Sequence, residues 1–154
     1  CAAVLGSSVL ASYLANYAQT FVYATALPPA ASRLAHRAYA RLAGSDGDQR
    51  RRALAAVNDV LRDGLSALAR RHDLRLLGGE SAIHALVVPG APRVLAVANH
   101  LQRAGFDVRP IRAPTVSPGS ERLRLVAHAH NSPDDALHCV AAIDHALSSS
   151  PSSA

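Results

Sequence analysis

Lysine is missing: all sixteen basic residues of this 154-residue chain are arginine. With so much alanine beside them, the arginines read as a compositional bias rather than a selected basic surface. Methionine and tryptophan are absent too, and aromatics make up only 4%. A core must therefore be built from Ala, Val and Leu, and stacking platforms for bases are lacking. No recognised nucleic-acid motif accompanies the net charge of +5, so a nucleic-acid partner is not expected. Cys1 and Cys139 make neither a disulfide framework nor a metal quartet, which points to a reduced, intracellular and cytoplasmic setting. The first charged residue is Arg33. Residues 1–32 nevertheless contain no apolar run of about 18 residues and no basic n-region, so neither a membrane span nor a leader is expected. Ser7, Ser8, Ser12, Asn16, Gln19 and Thr20 interrupt this stretch. It reads as a segment buried against other protein. Phosphate-loop and dinucleotide fingerprints are absent, as is a serine at a strand–turn–helix elbow.

What is present is pattern. Residues 2–5 (AAVL) read as a short strand ending at Gly6, and Ser7 or Ser8 as the cap of a helix to about Tyr17. Residues 20–24 (TFVYA) read as strand-like, closed by Pro28-Pro29, with a helix over 30–42 and a linker over 44–48. Leu54, Val57, Leu61, Leu65 and Leu68 recur at three and four residues and mark the clearest amphipathic helix. Its arginine-rich remainder is a solvated face. Strands are expected over 83–88, 108–112 and 122–127, with a helix through Val94, Leu95, Ala98 and Leu101 that ends at Gly105. Ser132-Pro133-Asp134-Asp135 opens the last helix: a cap, a proline at the first helical position and two acids at the positive helix end. Residues 148–154 (SSSPSSA) form a low-complexity tail expected to be disordered. From residue 81 the order is β-α-β-β-α, an α/β layer domain preceded by helices.

Two constellations could carry chemistry. In His128-Ala129-His130, strand alternation would put both imidazoles on one face. Without an acid or cysteine at ligand spacing no metal is expected, and His130 reads as a structural hydrogen-bonder. The other is residues 111–125, IRAPTVSPGSERLRL. Its prolines restrict the turn around Thr115, and alternation sets Arg122 and Arg124 on one face with Leu123 and Leu125 on the other. A strand arginine can clamp a carboxylate through two parallel hydrogen bonds. An ion pair with Glu121 and a substrate clamp are equally well supported by these residues alone.

This stretch resembles the signature I-R-P-P-T-V-P-x-G-x-x-R-L-R of the 8-amino-7-oxononanoate synthase branch of the α-oxoamine synthases. Those are pyridoxal-phosphate enzymes of aminotransferase-like fold, called fold type I. Residues 2–8 (AAVLGSS), 23–29 (YATALPP), Ser81-Ala82-Ile83, Val87-Val88, Gly105-Phe106 and His130 continue the resemblance in order, over roughly residues 2–147. Ala113 and Ser117 stand where proline is usual, and His128 where a small or hydroxyl residue is. The resemblance implies a remnant of the large cofactor-binding domain over residues 1–29 and the C-terminal small domain over 30–147. It implies that Arg124 holds the amino-acid carboxylate, that Thr115 lies at the substrate site, and that Thr25 reaches the cofactor phosphate in a homodimer. Arg122 would then be structural. The implied reaction condenses L-alanine with an acyl thioester, pimeloyl, with decarboxylation, in biotin biosynthesis. It needs a Schiff-base lysine, which in the family lies just upstream of where this chain starts. The chain is thus expected to be a C-terminal piece, inactive alone. A lysine-less partner subunit or interaction module of the same fold is the other expectation.

Overall fold

The structure, a computed structural model, describes residues 4–149. Residues 2 and 3 of the expected first strand and residues 150–154 of the expected tail lie outside the described residues. Val4 and Leu5 have no regular structure. Two compact units divide the chain, Cys1–Asp48 and Gln49–Ala154.

The first unit is helical. Helix α1 spans Ser8–Tyr17, and its cap is Ser7, whose hydroxyl accepts from Leu10 N at 3.2 Å. A single turn, α2 (Gln19–Val22), and then α3 (Pro29–Ala43) follow. The strand expected over 20–24 is therefore helical over residues 20–22, then turns at Tyr23 and bends at Ala24. Ala18 O accepts from both Phe21 N and Val22 N at 2.8 Å. All described strands belong to the second unit, so these β-formers have no ladder to join, and local bonds decide. None of α1–α3 buries a residue, and Tyr13, Tyr17, Phe21, Tyr23 and Leu34 stand exposed.

Helix α4 (Ser45–Arg71) begins inside the stretch expected as a linker. Ser45, Asp46 and Asp48 are first-turn residues that suit the positive helix end. The glycines there suggested a loop instead. Gly47 has a different reason to be glycine: a Cβ would lie 2.1 Å from Leu42 O.

The sheet runs β1 (Arg75–Gly78), β2 (Ile83–Val87), β3 (Arg109–Ile111) and β4 (Arg122–Val126), in the order β1-β2-β4-β3 and antiparallel throughout. Strand β1 has no counterpart in the sequence reading; it is four residues long, with no alternation to reveal it. Helices α5 (Ala91–Arg103) and α6 (Pro133–Ser149) complete the unit. Ser132 and Asp135 cap α6 reciprocally: Asp135 N donates to Ser132 Oγ at 3.1 Å and Ser132 N to Asp135 Oδ2 at 2.7 Å. Residues 148 and 149 of the expected tail are helical.

One face of the sheet is covered and the other open. Leu86 of β2 stands opposite Leu123 of β4, and both are fully buried with Leu65, Leu101 and Ile143 from α4, α5 and α6. Each such side chain contributes about 1.5–3 kcal/mol on burial. Gly64 lets α4 meet α6, since a Cβ there would lie 2.9 Å from Val140 Cγ2. Arg122, Arg124 and Val126 alternate out of this core, as the spacing predicts. No described helix is long and apolar enough to cross a membrane.

Candidate functional site

The proline-rich turn is fastened from both ends. Thr115 N donates to Arg112 O at 3.0 Å, and Ser120 N to Ser117 O at 3.0 Å. Arg122 Nε donates to Ser120 O at 3.0 Å, so this guanidinium buttresses the turn. Thr115 itself is exposed and lines a shallow cavity of about 490 Å³ with Pro114, Val116, Ser117 and Arg122.

Glu121 is the anchor. It is buried, and its Oε2 accepts from Gly119 N at 2.9 Å and from Gly90 N at 3.1 Å. This ties the turn to the start of α5. Its own backbone N–H, then those of Gly90 and Gly119, hold the carboxyl below the usual range, against the opposing effect of burial. The Glu121–arginine ion pair left open by the sequence is not among the ion pairs of the described residues. The carboxylate is occupied by backbone N–H groups instead. Sequence reasoning missed this role, and the signal for it was Pro118-Gly119 two residues upstream.

Arg124 is exposed on the open sheet face and makes no ion pair among the described residues. It lines a cleft of about 740 Å³ with Arg109, His128, His130 and Cys139. Thr115 and Arg124 thus border separate cavities. Thr25 lies in an exposed, irregular segment of the first unit.

The histidine pair departs from its expected strand. β4 stops at Val126, after which Asn131 N donates to His128 O and Asn131 Oδ1 accepts from His128 N, closing a turn. The two rings stack at 5.2 Å. The turn is fastened by Asn131, and no hydrogen bond of the His130 ring is found among the described residues. No group of three or more potential metal ligands occurs among the described residues. Cys139 is buried, and burial pushes its thiol up to about 11, which makes it a poor nucleophile.

Known proteins share both this sequence and this fold. The 8-amino-7-oxononanoate synthase of Pseudescherichia vulneris is 39% identical over 87% of this chain and 34% of its own length. That of Xanthomonas campestris pv. campestris (strain 8004) is 39% identical over 92% of the chain and 34% of its own. The chain spans about a third of the length of these relatives. Among solved structures, a high-resolution structure of SPT with PLP internal aldimine superposes with a TM-score of 0.73 at 20% identity, over 88% of this chain and 33% of that one. The 8-amino-7-oxononanoate synthase of Francisella tularensis superposes at 0.66 and 24%, over 90% and 39%. The α/β architecture is thus that of the aminotransferase-like fold. The sequence pattern of aminotransferase class I and II matches residues 1–143, and the chain belongs to that family.

Proposed function

We propose that this chain is the substrate-reading part of a pyridoxal-phosphate acyltransferase of the 8-amino-7-oxononanoate synthase kind, working in biotin biosynthesis as a homodimer. The reaction joins L-alanine to a pimeloyl thioester with loss of carbon dioxide. One observation carries the reading: Arg124, in the matching R-L-R run, stands exposed on the open sheet face, without an ion-pair partner among the described residues. A guanidinium in that state can take a carboxylate through two parallel hydrogen bonds. The similarity to relatives 39% identical supports the same reaction class.

The cofactor fits these residues only in part. The exposed Thr25 hydroxyl can donate to a phosphate oxygen, whereas no side-chain amine exists in the chain to condense with an aldehyde. When bound, the cofactor would supply the electron sink for carbanion chemistry. This chain's share is to hold the amino-acid carboxylate at Arg124 and to shape the turn around Thr115. A Schiff-base lysine is not among these residues. That same absence supports a second reading, a lysine-less partner subunit of the same fold.

The test is to assemble the chain with a lysine-bearing large domain and assay amino-ketone formation from L-alanine and pimeloyl thioester. Activity that appears only with both parts, and that needs Arg124, is the expected result. Activity indifferent to Arg124 would leave the partner-subunit reading.

A further inference from the structure

We propose that Arg109 joins Arg124 in a two-guanidinium clamp that takes small dianionic oxyanions in preference to a single carboxylate. The inference rests on the reading of Arg124 as an anion-binding residue.

Arg109 and Arg124 are direct cross-strand partners on β3 and β4. Such partners share a sheet face, with Cα atoms only about 4.5–5.5 Å apart. Arg124 points away from the buried Leu123 and Leu125, so Arg109, its register partner, shares that open face. Like charges directly opposite each other destabilise a sheet. Nothing in the cleft relieves the conflict fully.

Asp107 meets Arg109 at Nε, at 2.8 Å, and is itself 76% exposed. An exposed pair of this kind is weak and screened. The other acid of the cleft, Asp135, is committed to capping α6 through Ser132 N. Arg124 has no acid partner among the described residues. Real proteins break local rules of this kind chiefly at working sites. A bound dianion would turn the repulsion into two attractive contacts, each charge-assisted. The sequence alone could not disclose this pairing, because it depends on the β3–β4 register.

Saturation-transfer NMR on this chain observes the ligand and tolerates weak binding and protein self-association. At constant low ionic strength, acetate and glutarate are compared by saturation transfer, and inorganic phosphate by 31P line broadening. For the unaltered chain, glutarate or phosphate should bind about fivefold or more tightly than acetate, near the upper value of an exposed charge pair. Arg109→Ala should erase that preference while leaving acetate within about twofold, a change too small to count as a lost pair. Arg109→Lys should restore part of it. Preference for glutarate places the two charges on separate centres, and preference for phosphate on one; either supports the clamp. Equal binding of all three ions by the unaltered chain would overturn it, as would a preference that survives Arg109→Ala. Acetate binding that survives Arg124→Ala would instead strike the Arg124 reading. Both arginines are exposed, and amide hydrogen exchange of the buried core confirms that each variant stays folded.

Discussion

His84 on β2 and Asn58 on α4 meet inside the core, with Nε2 2.8 Å from Oδ1. The amide oxygen can only accept, so Nε2 carries the proton. Nδ1 is then a buried acceptor without a hydrogen-bond partner. Burial, and after it the charge of Arg62, lowers the imidazole's affinity for a proton. In the unfolded chain this histidine takes up a proton near its ordinary value of 6.5, while the folded chain resists until lower pH. The unfolded state therefore binds more protons in that window, and stability falls as pH drops below 6.5. Glu121, Asp135 and Asp144 all titrate below their ordinary carboxylate values, so their acid losses come at lower pH. Urea midpoints from pH 7.5 to 5 should decline, and His84→Phe paired with Asn58→Leu should flatten the decline. An unchanged slope in the double variant would refute the assignment to His84. Asn58→Ala alone should cost about 1–3 kcal/mol, the cost of a buried donor left unpaired.

Gly64 sets two effects of opposite sign against each other. Alanine in a helix interior is favoured over glycine by about 0.8–1 kcal/mol. Against that, the new methyl would sit 2.9 Å from Val140 Cγ2 and 3.2 Å from Cγ1. Overpacking costs about 1–3 kcal/mol, and a β-branched valine yields little. Gly64→Ala should therefore be net destabilising by about 1 kcal/mol, while Gly64→Ala with Val140→Ala should recover part of the loss. Denaturant melts of the two variants decide it.

How much was legible in the sequence follows from the range of the forces involved. The α4 stripe, the cap of α6 and the alternation of β4 are local, and each appears where the spacing puts it. The four-residue β1 and the one-turn α2 depended on whether a partner strand lay alongside, which spacing cannot encode. Arg124 was legible because alternation aims it. Its pairing with Arg109, and the two loops gathered by Glu121 through Gly90 and Gly119, were not, since both depend on register and on residues up to 31 apart. β4 starts at Arg122 as expected, but its C-terminal end comes one residue early for a further reason: Asn131 satisfies the His128 N–H through its side chain and ends the strand before the histidine pair.

In the assembled enzyme of the proposed kind, Arg124→Ala should raise the Michaelis constant for the amino acid about ten- to hundredfold, the equivalent of about 1.5–3 kcal/mol for a charge-assisted bond. Arg124→Lys should recover only part, because a lysine lacks the planar fork. An amino-acid dependence unchanged in Arg124→Ala would remove the clamp.

The exposed apolar side chains of the first unit, Tyr13, Tyr17, Phe21 and Tyr23 among them, exceed what an isolated surface tolerates well. This chain alone should self-associate at tens of micromolar, roughly the range in which exposed apolar surface becomes hazardous. Sedimentation velocity should show species larger than the 16.1 kDa monomer. Tyr13→Ser with Phe21→Ser should shift the distribution towards monomer. A clean monomer before substitution would count against this surface as a contact.

The absence of lysine makes the sharpest demand. The chain has no lysine, and so no side-chain amine with which to form an imine with pyridoxal phosphate. Thr25 could add a hydroxyl bond to the phosphate, a net contribution of about 0.5–1.5 kcal/mol. That is about a two- to thirteenfold effect, far short of micromolar binding, which takes about 8.2 kcal/mol. Incubated alone with the cofactor, the chain should retain none after gel filtration and form no amino ketone from L-alanine and an acyl thioester. Borohydride reduction followed by mass spectrometry should find no stoichiometric adduct at any internal residue. A stoichiometric adduct at an internal residue, or turnover by the chain alone, would show that these residues carry a complete site and would overturn the reading of a site completed from outside them.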